Sequence, residues 1–178
     1  MARVEVEAKF PIDCGALDRI KERLLELGYA YMEDIVERDY YLLHPCRDLV
    51  SGDEALRVRV ATGNRVKVTY KGPRTGDRVK SRIEVEAISD EAILEIFDKL
   101  GFRVGIIVEK QRSYYRLGND VIVLLDRVKG LGCFVEVESL RGEETRIMGV
   151  ARELGLDTDR MTTESYAYML YRISRSHH

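Results

Sequence analysis

The stretch Val4-Glu5-Val6-Glu7-Ala8-Lys9-Phe10, near the start of the chain, alternates apolar and charged residues. In a β-strand, alternate side chains leave the same face of the sheet, so this stretch projects its charged groups to one side and apolar groups to the other. The glutamate pair recurs in Ile83-Glu84-Val85-Glu86 and in Val135-Glu136-Val137-Glu138. The sequence therefore predicts several strands that each carry one acidic face.

Cationic side chains show the same two-residue spacing on other strand-like runs. They are Arg57 with Arg59, Lys110 with Arg112, Lys67 with Lys71 two such steps further along the same face, and Arg82 two residues before Glu84. A single strand of this kind is most often half exposed, with a solvated charged face. Solvated faces usually mix in serine, threonine, asparagine and glutamine, whereas these faces carry mainly Glu, Arg and Lys in opposing sets. We therefore interpret them together as the lining of a functional polar cavity.

Length and composition limit the possible classes of protein. The chain has 178 residues, 45% of them hydrophobic, which predicts a single domain over residues 1–174. Residues 175–178 resemble the remnant of an expression tag. Charged residues make up 34% of the chain, yet the net charge is only −2, so the basic excess of a general nucleic-acid binder is absent. The sequence also has no apolar run long enough to cross a membrane and no signal peptide, which predicts a cytoplasmic protein.

Cysteine and amide residues give two further expectations. Cys14, Cys46 and Cys133 are odd in number, widely separated and without metal-ligand spacing, so we expect neither a disulfide framework nor a zinc site. Asparagine and glutamine are nearly absent from this highly charged chain, a balance that is also seen in thermophile proteins.

An internal repeat organises the chain. A strand is followed by a helix with a glycine-aromatic stop at Gly28-Tyr29, and the same order recurs with a stop at Gly101-Phe102. Asp13 and Ser89 are the expected N-caps of these two helices. A looser third copy follows Glu138, with a helix that ends at Gly155-Leu156.

Short turns join the remaining strands. The turn signals are Gly63-Asn64, Gly72-Pro73 with Gly76-Asp77, and Gly118-Asn119-Asp120. Short turns imply antiparallel strands, and about eight of them can curl into a barrel wide enough for a ligand. We therefore predict an α+β fold: an eight-stranded antiparallel barrel with a charged interior, helices on the outside and pseudo-symmetric halves.

The two kinds of charge restrict the ligand. Converging Arg and Lys side chains suit a polyanion, since arginine binds phosphate oxygens in bidentate fashion. Carboxylates beside them would repel that anion unless they hold Mg²⁺ or Mn²⁺, which take oxygen ligands. A metal-bound polyphosphate is the simplest ligand that satisfies both groups.

The ordered set of motifs resembles the CYTH superfamily, the triphosphate tunnel metalloenzymes, over Val4 to about Leu170. The motifs that carry this resemblance are Glu5-x-Glu7-x-Lys9, Arg57-x-Arg59, Lys67 to Lys71, Arg82-x-Glu84-x-Glu86, Lys110-x-Arg112, Asp126 and Glu136-x-Glu138. The loop His44-Pro45-Cys46-Arg47-Asp48, the run Asp53 to Arg59 and Ser165-Tyr166 are similar to the class IV adenylyl cyclase branch.

The resemblance implies an eight-stranded tunnel that binds a triphosphate with two divalent metal ions. The implied metal ligands are Glu5, Glu7, Glu136 and Glu138, with Glu84, Glu86 and Asp126 as further candidates. The implied phosphate-binding residues are Lys9, Arg57, Arg59, Lys67, Lys71, Arg82, Lys110 and Arg112. Among all of these, Glu5, Glu7, Lys9 and Asp126 are the candidate catalytic residues.

Several functions agree with such a site. The first is an adenylyl cyclase that converts ATP to cyclic AMP and pyrophosphate, and the second is a triphosphatase acting on tripolyphosphate, thiamine triphosphate or a nucleotide. The third is a non-catalytic polyphosphate or nucleotide binder. The partner in each case is a triphosphate-bearing small molecule, with no nucleic acid or membrane. The tyrosine-rich segment from Tyr166 to Tyr171 either packs on the barrel or forms a homodimer contact.

Overall fold

The computed structural model describes residues 3–74 and 80–176, with the backbone alone for residues 3–5, 80–81 and 176. The predicted turn at Gly76-Asp77 and the terminal His177 and His178 lie outside the described residues.

Eight antiparallel strands close into a barrel in the order β1-β5-β4-β3-β2-β6-β7-β8, and β8 pairs again with β1. The strands are β1 (Arg3–Ile12), β2 (Ala30–Leu43), β3 (Ala55–Ala61), β4 (Arg65–Lys71), β5 (Lys80–Ser89), β6 (Arg103–Leu117), β7 (Val121–Val128) and β8 (Gly132–Ser139). This confirms the predicted fold.

The pairing registers place a charged face of most strands inside the barrel. Arg57 lies opposite Thr69, and Lys71 lies opposite Glu84, so the charged residues of three successive strands share one face. The same parity continues around the ring to Lys9 and Glu136, which are paired between β1 and β8. Because the period of a strand is two, the apolar residues between these positions point outward and need a cover.

Three helices lie outside the barrel: α1 (Leu17–Glu26), α2 (Ala92–Lys99) and α3 (Glu144–Glu153). Helices α1 and α3 pack against the apolar outer faces of β1, β7 and β8 in a core that includes Phe10, Leu24, Val123 and Ile147. Helix α2 covers a smaller core on β2, β3 and β4 that includes Val58 and Val66. The order strand, helix, strand repeats from β1 to β2 and from β5 to β6, as the sequence predicts.

The helix ends agree with the sequence, but neither of the two predicted N-caps is the N-cap of its helix. Asp13 caps a short 3₁₀ turn, Cys14–Ala16, which precedes α1. Ser89 does not cap α2, because it is the last residue of β5 and pairs with Val66. The Asp90 carboxylate instead accepts a hydrogen bond from the backbone N–H of Ala92 at 2.9 Å.

A fourth helix, α4 (Tyr166–Ser176), closes one end of the barrel. Its buried residues Tyr166, Ala167 and Met169 pack against inward-facing apolar side chains of the strands, among them Val108 and Phe134. The tyrosine-rich segment therefore packs on the barrel. Helix α4 also includes Arg175 and Ser176, the first two residues of the predicted tag remnant. None of the described helices combines the length and apolar character that a membrane span requires.

A disulfide joins Cys14 and Cys133, so the expectation that the cysteines form no disulfide is wrong. The two residues are 119 positions apart in sequence, but Ile12 at the end of β1 pairs with Cys133 at the start of β8. The 3₁₀ turn after Ile12 then brings Cys14 beside Cys133. Sequence spacing contains no trace of this proximity, because it arises only when the barrel closes. Cys46 is free and exposed.

Candidate functional site

The barrel encloses a cavity of about 700 Å³, within the range of pockets that hold small-molecule ligands. Among the described residues, nine cationic and nine acidic side chains line it. Apolar and aromatic side chains, among them Leu49, Val50, Tyr168 and Tyr171, line another part of the same cavity. The charged faces predicted from the sequence therefore converge on one enclosed space.

Most of the predicted site residues line this cavity. They are Glu7, Lys9, Arg57, Arg59, Lys67, Lys71, Arg82, Glu84, Glu86, Lys110, Arg112, Glu136 and Glu138. Glu5 lies in β1 opposite Arg82, and its side chain is outside the described part of the structure. Asp126 is fully buried beneath the lining and is not part of the cavity wall.

The wall formed by β1 and β8 carries the main acidic group. Glu7 lies directly opposite Glu138 in the pairing register, and Lys9 lies opposite Glu136. The Lys9 ammonium contacts the Glu7 carboxylate at 2.7 Å and the Glu136 carboxylate at 3.2 Å. All four side chains are buried. Two carboxylates directly opposite each other repel, so this wall favours a cation between or beside them.

Two further buried carboxylates, Glu37 and Asp39 of β2, were not predicted as site residues from the sequence. They are 2% and 1% exposed. The guanidinium of Arg59 donates to both oxygens of Asp39 at 2.6 and 2.7 Å. The Lys110 ammonium lies 2.9 Å from an oxygen of each carboxylate. The signal for them was available, because Glu37 and Asp39 have the same two-residue spacing as the three glutamate pairs.

Burial and neighbouring cations shift the pKa of Glu37 and of Asp39 in opposite directions. Burial by itself would raise the pKa of Glu37, but Arg59, Arg112 and Lys110 outweigh it and lower this pKa to about 2. Asp39 behaves in the same way, and its pKa lies well below the ordinary value. Burial, together with Arg59, lowers the pKa of Lys110 against the opposing effect of Asp39. Both carboxylates are therefore ionised at neutral pH.

Arg112 connects the β2 carboxylates to the opposite wall. It donates to both oxygens of Asp126 at 2.6 and 2.5 Å and to Glu136 at 3.2 Å. Asp126 also accepts a hydrogen bond from the Tyr166 hydroxyl at 2.7 Å. With three donors on its carboxylate, Asp126 is arranged to hold Arg112 rather than to face a ligand.

The wall formed by β3, β4 and β5 presents cations with fewer carboxylate partners. Arg57 donates to the Thr69 hydroxyl at 3.1 Å, while its nearest carboxylate contact, with Asp39, is 3.8 Å long. Lys71 pairs with Glu84, and Lys67 pairs with Glu86 at the more exposed edge of the cavity. Nε of Arg57 and Nε of Arg82 are buried and make no hydrogen bond within the described residues. Buried donors of this kind suit an oxyanion ligand.

A second set of ion pairs borders the cavity and includes Asp53 and Glu54, the first two residues of the motif run Asp53 to Arg59. Arg74 pairs with Asp53 at 2.8 Å, and Glu54 accepts hydrogen bonds from Arg47 and from the Tyr70 hydroxyl. Asp53 has a positive φ of 52°, an uncommon conformation for a non-glycine residue. These contacts fix the segment between β2 and β3 against the barrel.

The carboxylates also agree with a divalent cation. Glu7, Glu136 and Glu138 lie on two adjacent strands and present only oxygen ligands, which Mg²⁺ and Mn²⁺ prefer. In the described part of the chain no three acidic side chains already converge on one point. The Lys9 ammonium lies between Glu7 and Glu136 instead. These carboxylate oxygens therefore fit a metal ion that binds together with an anionic ligand, because the anion would draw the Lys9 ammonium away from Glu7 and Glu136.

Comparison with known proteins relates this geometry to a family. A family model described as the CYTH domain matches residues 3–166. A protein of Methanocaldococcus jannaschii, named "putative adenylate cyclase", is 35% identical over 172 residues, covering 92% of this chain and 96% of that protein.

Two solved structures share the fold. The PH1819 protein of Pyrococcus horikoshii superposes with a TM-score of 0.80 at 35% identity, covering 94% of this chain and 99% of the other. A Hippeastrum protein superposes with a TM-score of 0.70 at 17% identity, covering 98% of this chain and 96% of the other. It is described as a "putative adenylyl cyclase" with a dominant triphosphatase activity. Given the family match across the barrel and the 35% identity to two relatives, the chain belongs to the CYTH domain family.

Proposed function

We propose that this protein is a metal-dependent enzyme that acts on triphosphate substrates, with cyclisation of ATP as its first candidate reaction. One observation carries the proposal: nine cations and nine carboxylates of the described residues line the same enclosed cavity. A bare polyanion would be repelled by the carboxylates, and a bare cation by the guanidinium groups. A triphosphate together with divalent cations satisfies both sets at once.

The residues of each wall have separate roles in this proposal. Glu7, Glu136 and Glu138, with Glu5 from the same strand as Glu7, would hold the divalent cation. Arg57, Arg59, Arg82 and Arg112, with Lys9, Lys67, Lys71 and Lys110, would bind phosphate oxygens. Bound there, a divalent cation would polarise the phosphate oxygens and lower the pKa of a nearby hydroxyl group or water.

In the cyclase reaction the oxygen of the ribose 3′-hydroxyl group attacks the α-phosphorus and forms a new P–O bond, and the hydroxyl proton is released and ends on the leaving pyrophosphate. The bond from that phosphorus to its bridging oxygen breaks, and pyrophosphate leaves. The cationic walls stabilise the negative charge that develops on the leaving pyrophosphate, which is the main contribution of a protein to phosphoryl transfer.

Two features of the cavity concern the choice of substrate. Apolar side chains such as Leu49, Val50 and Tyr168 line part of the cavity, which favours a nucleoside attached to the triphosphate. No Asn or Gln occurs among the described lining residues, although such side chains commonly read the edge of adenine. This second feature favours a triphosphatase as the alternative. The reported activity of the Hippeastrum protein is of that type.

Product analysis distinguishes these reactions. The purified protein is incubated with Mg²⁺ or Mn²⁺ and either ATP or tripolyphosphate, and products are resolved by ³¹P NMR and nucleotide chromatography. Cyclic AMP with pyrophosphate identifies a cyclase, whereas orthophosphate without cyclic AMP identifies a triphosphatase. Binding of both substrates without turnover would contradict an enzymatic function and leave a non-catalytic binder.

The Glu7→Gln substitution tests the acidic wall. We expect turnover to fall on the order of a hundredfold, because the amide has lost the charge that would hold the cation. Steady-state rates at saturating Mg²⁺ measure the effect, and circular dichroism checks the fold. The matched control is Glu109→Gln on the outer face of β6, where Glu109 pairs with Arg38 and Lys129. Equal activity of the Glu7→Gln and Glu109→Gln proteins would contradict the assignment.

A further inference from the structure

We infer that Tyr166 is a positioning residue that holds three of the cavity cations, Lys9, Lys110 and Arg112, in the arrangement that receives a triphosphate. This inference rests on the proposed function, because it concerns the phosphate-binding cations of the same cavity. Tyr166 is the first residue of α4 and is only 5% exposed.

The hydroxyl of Tyr166 acts on Arg112 through Asp126. It donates to Asp126 Oδ2 at 2.7 Å, the same oxygen that accepts from Arg112 Nη2 at 2.5 Å. The guanidinium of Arg112 binds both oxygens of this carboxylate, and so its plane is set by the orientation of Asp126. A third donor on the carboxylate restricts that orientation.

The ring of Tyr166 contacts the two lysines. The Lys9 ammonium lies 5.4 Å from the ring centroid, and the Lys110 ammonium lies 6.0 Å from it. Both distances are within the range of a cation–π interaction, which is strongest where the cation is removed from water. Lys9 and Lys110 are 4% and 3% exposed. One side chain therefore contacts two cations directly and a third through one carboxylate.

The segment before Tyr166 also holds the backbone of Lys9. Among the described residues, the pairing of β1 with β5 extends as far as Glu7, and a different segment pairs with the same edge at Lys9. Thr162 is the partner there, since the backbone N–H of Lys9 donates to the Thr162 carbonyl at 3.0 Å and the Thr162 N–H donates back at 2.8 Å. The chain thus fixes Lys9 at its backbone and at its ammonium group within five residues, from Thr162 to Tyr166.

The position of Tyr166 is itself restricted by packing. Its ring contacts that of Phe134 at a centroid distance of 5.1 Å. Its neighbours Ala167 and Met169 are buried in the same apolar cluster at the end of the barrel. Because packing restricts the ring, the position of the ring determines where the Lys9 and Lys110 ammonium groups lie.

Two substitutions separate the contributions of the hydroxyl and the ring. Tyr166→Phe removes the contact with Asp126 and keeps the ring, whereas Tyr166→Leu removes both. We expect tripolyphosphate with Mg²⁺ to bind about tenfold more weakly to the first variant and about a hundredfold more weakly to the second, measured by calorimetry. The matched control is Tyr29→Phe, because Tyr29 is equally buried but lies in the outer core by α1.

A double-mutant cycle tests whether Tyr166 acts through Arg112. In an Arg112→Lys background, we expect Tyr166→Phe to change the affinity less than twofold, because the bidentate contact that the hydroxyl supports is already absent. A full tenfold loss in that background would overturn the inference, as would wild-type affinity of the Tyr166→Phe protein. Since Tyr166→Phe keeps the ring, it remains informative if Tyr166→Leu does not fold.

A measurement without ligand separates this inference from the proposed function. In protein labelled with ¹⁵N-arginine, we expect Nε–H exchange of Arg112 to be about tenfold faster in Tyr166→Phe and unchanged in Tyr29→Phe. Unchanged exchange in Tyr166→Phe would overturn the positioning role. If the wild-type protein binds no tripolyphosphate, the proposed function fails, and the exchange rate still decides whether Tyr166 holds Arg112.

Discussion

Glu37 and Asp39 show how single residues set the electrostatics of the barrel. Each would be costly as an isolated buried charge, but Arg59 and Lys110 contact both. The carboxylates in turn hold these two cations in fixed positions. An incoming phosphate then competes for cations that are already in place, and little side-chain ordering remains to oppose binding.

The low pKa of Glu37 predicts a specific dependence of stability on pH. A carboxylate whose pKa is lowered in the folded state stabilises the protein above its unfolded pKa, and this contribution is lost as pH falls through the folded value. For Glu37 the loss extends from the ordinary value of 4.5 down to about 2. We expect Glu37→Gln to destabilise the protein at pH 7 by about 3 to 5 kcal/mol, because it leaves buried cations without a charge partner.

Urea unfolding at neutral and acidic pH measures both effects. The Glu37→Gln protein should lose less additional stability than the wild type between pH 4.5 and pH 2. Glu22→Gln is the control, since Glu22 is exposed on α1. If the free energy of unfolding falls as steeply with acid in Glu37→Gln as in the wild type, the Glu37 carboxylate does not stabilise the protein in the proposed way.

Sequence alternation predicted most inner residues but missed this pair for a physical reason. Arg38 lies between Glu37 and Asp39 on the outer face, where its side chain is about half exposed and pairs with Glu109. A strand with charges on both faces has no apolar alternation, so its inner carboxylates look like part of a solvated run. Asp126 is the opposite case. It was predicted as a site residue, but its carboxylate is buried below the cavity wall, where it binds Arg112 and Tyr166.

At the scale of elements, one helix-stop motif recurs three times. The glycines Gly28, Gly101 and Gly155 have positive φ values of 84°, 87° and 65°. At each stop the following residue donates a backbone hydrogen bond to a carbonyl five positions earlier, as Tyr29 does to Leu24 at 3.0 Å. The residue after each glycine, which is Tyr29, Phe102 or Leu156, is aromatic or aliphatic and packs in or against an outer core. The repeat seen in the sequence is thus a repeat of helix endings.

Two glycine substitutions test this reading of the helix stops. Gly28→Ala should destabilise the protein by about 1 to 2 kcal/mol, because alanine at φ 84° brings its Cβ close to a carbonyl oxygen. Gly149→Ala in the middle of α3 should stabilise it by about 0.5 to 1 kcal/mol. No atom beyond the near backbone lies within 4 Å of a Cβ added at either position, so backbone conformation alone distinguishes them. Urea unfolding of both variants provides the measurement, and changes of the same sign would contradict this account.

Helix positions were predictable to different degrees. The stops were predictable because glycine followed by an apolar residue is a local signal. The start of α2 was not, because Ser89 and Asp90 are both good caps and the pairing of Ser89 with Val66 decides between them. The place of α4 at the barrel end depends on Val108 and Phe134, which come from strands far away in the sequence.

At the scale of the whole molecule, the disulfide fastens the two ends of the barrel sheet on its outer side. It links Cys14 to Cys133 beside the paired strands β1 and β8 and lies within the outer core. By the loop-entropy model, closing a loop of 119 residues contributes about 4 to 5 kcal/mol to stability. The cavity is on the other face of these strands.

We expect the Cys14→Ser/Cys133→Ser protein to melt roughly 10 to 20 °C lower than the wild type, with unchanged affinity for its ligand at 25 °C. Cys46→Ser is the control because Cys46 is free and exposed. Calorimetry with and without reductant provides the comparison. A melting temperature within 2 °C of the wild type would contradict a stabilising role for the disulfide.

The cytoplasmic location and the homodimer stay predictions from the sequence, and size-exclusion chromatography with light scattering checks the latter. The barrel itself was predictable because charged and apolar residues alternate along most of its strands. The order of the strands around the ring was not predictable, because it differs from their order in the chain.

That order has a consequence for how the protein is made. β1 is the first strand to be synthesised, yet its two neighbours in the ring are β5 and β8. Glu7 and its partner Glu138 are 131 positions apart, so Glu7 has no partner on β8 until those residues have been translated. Until then β1 has an unpaired edge, and α1 can cover only its apolar face. The late arrival of β8 leaves this edge of β1 available for wrong strand pairing in the nascent chain.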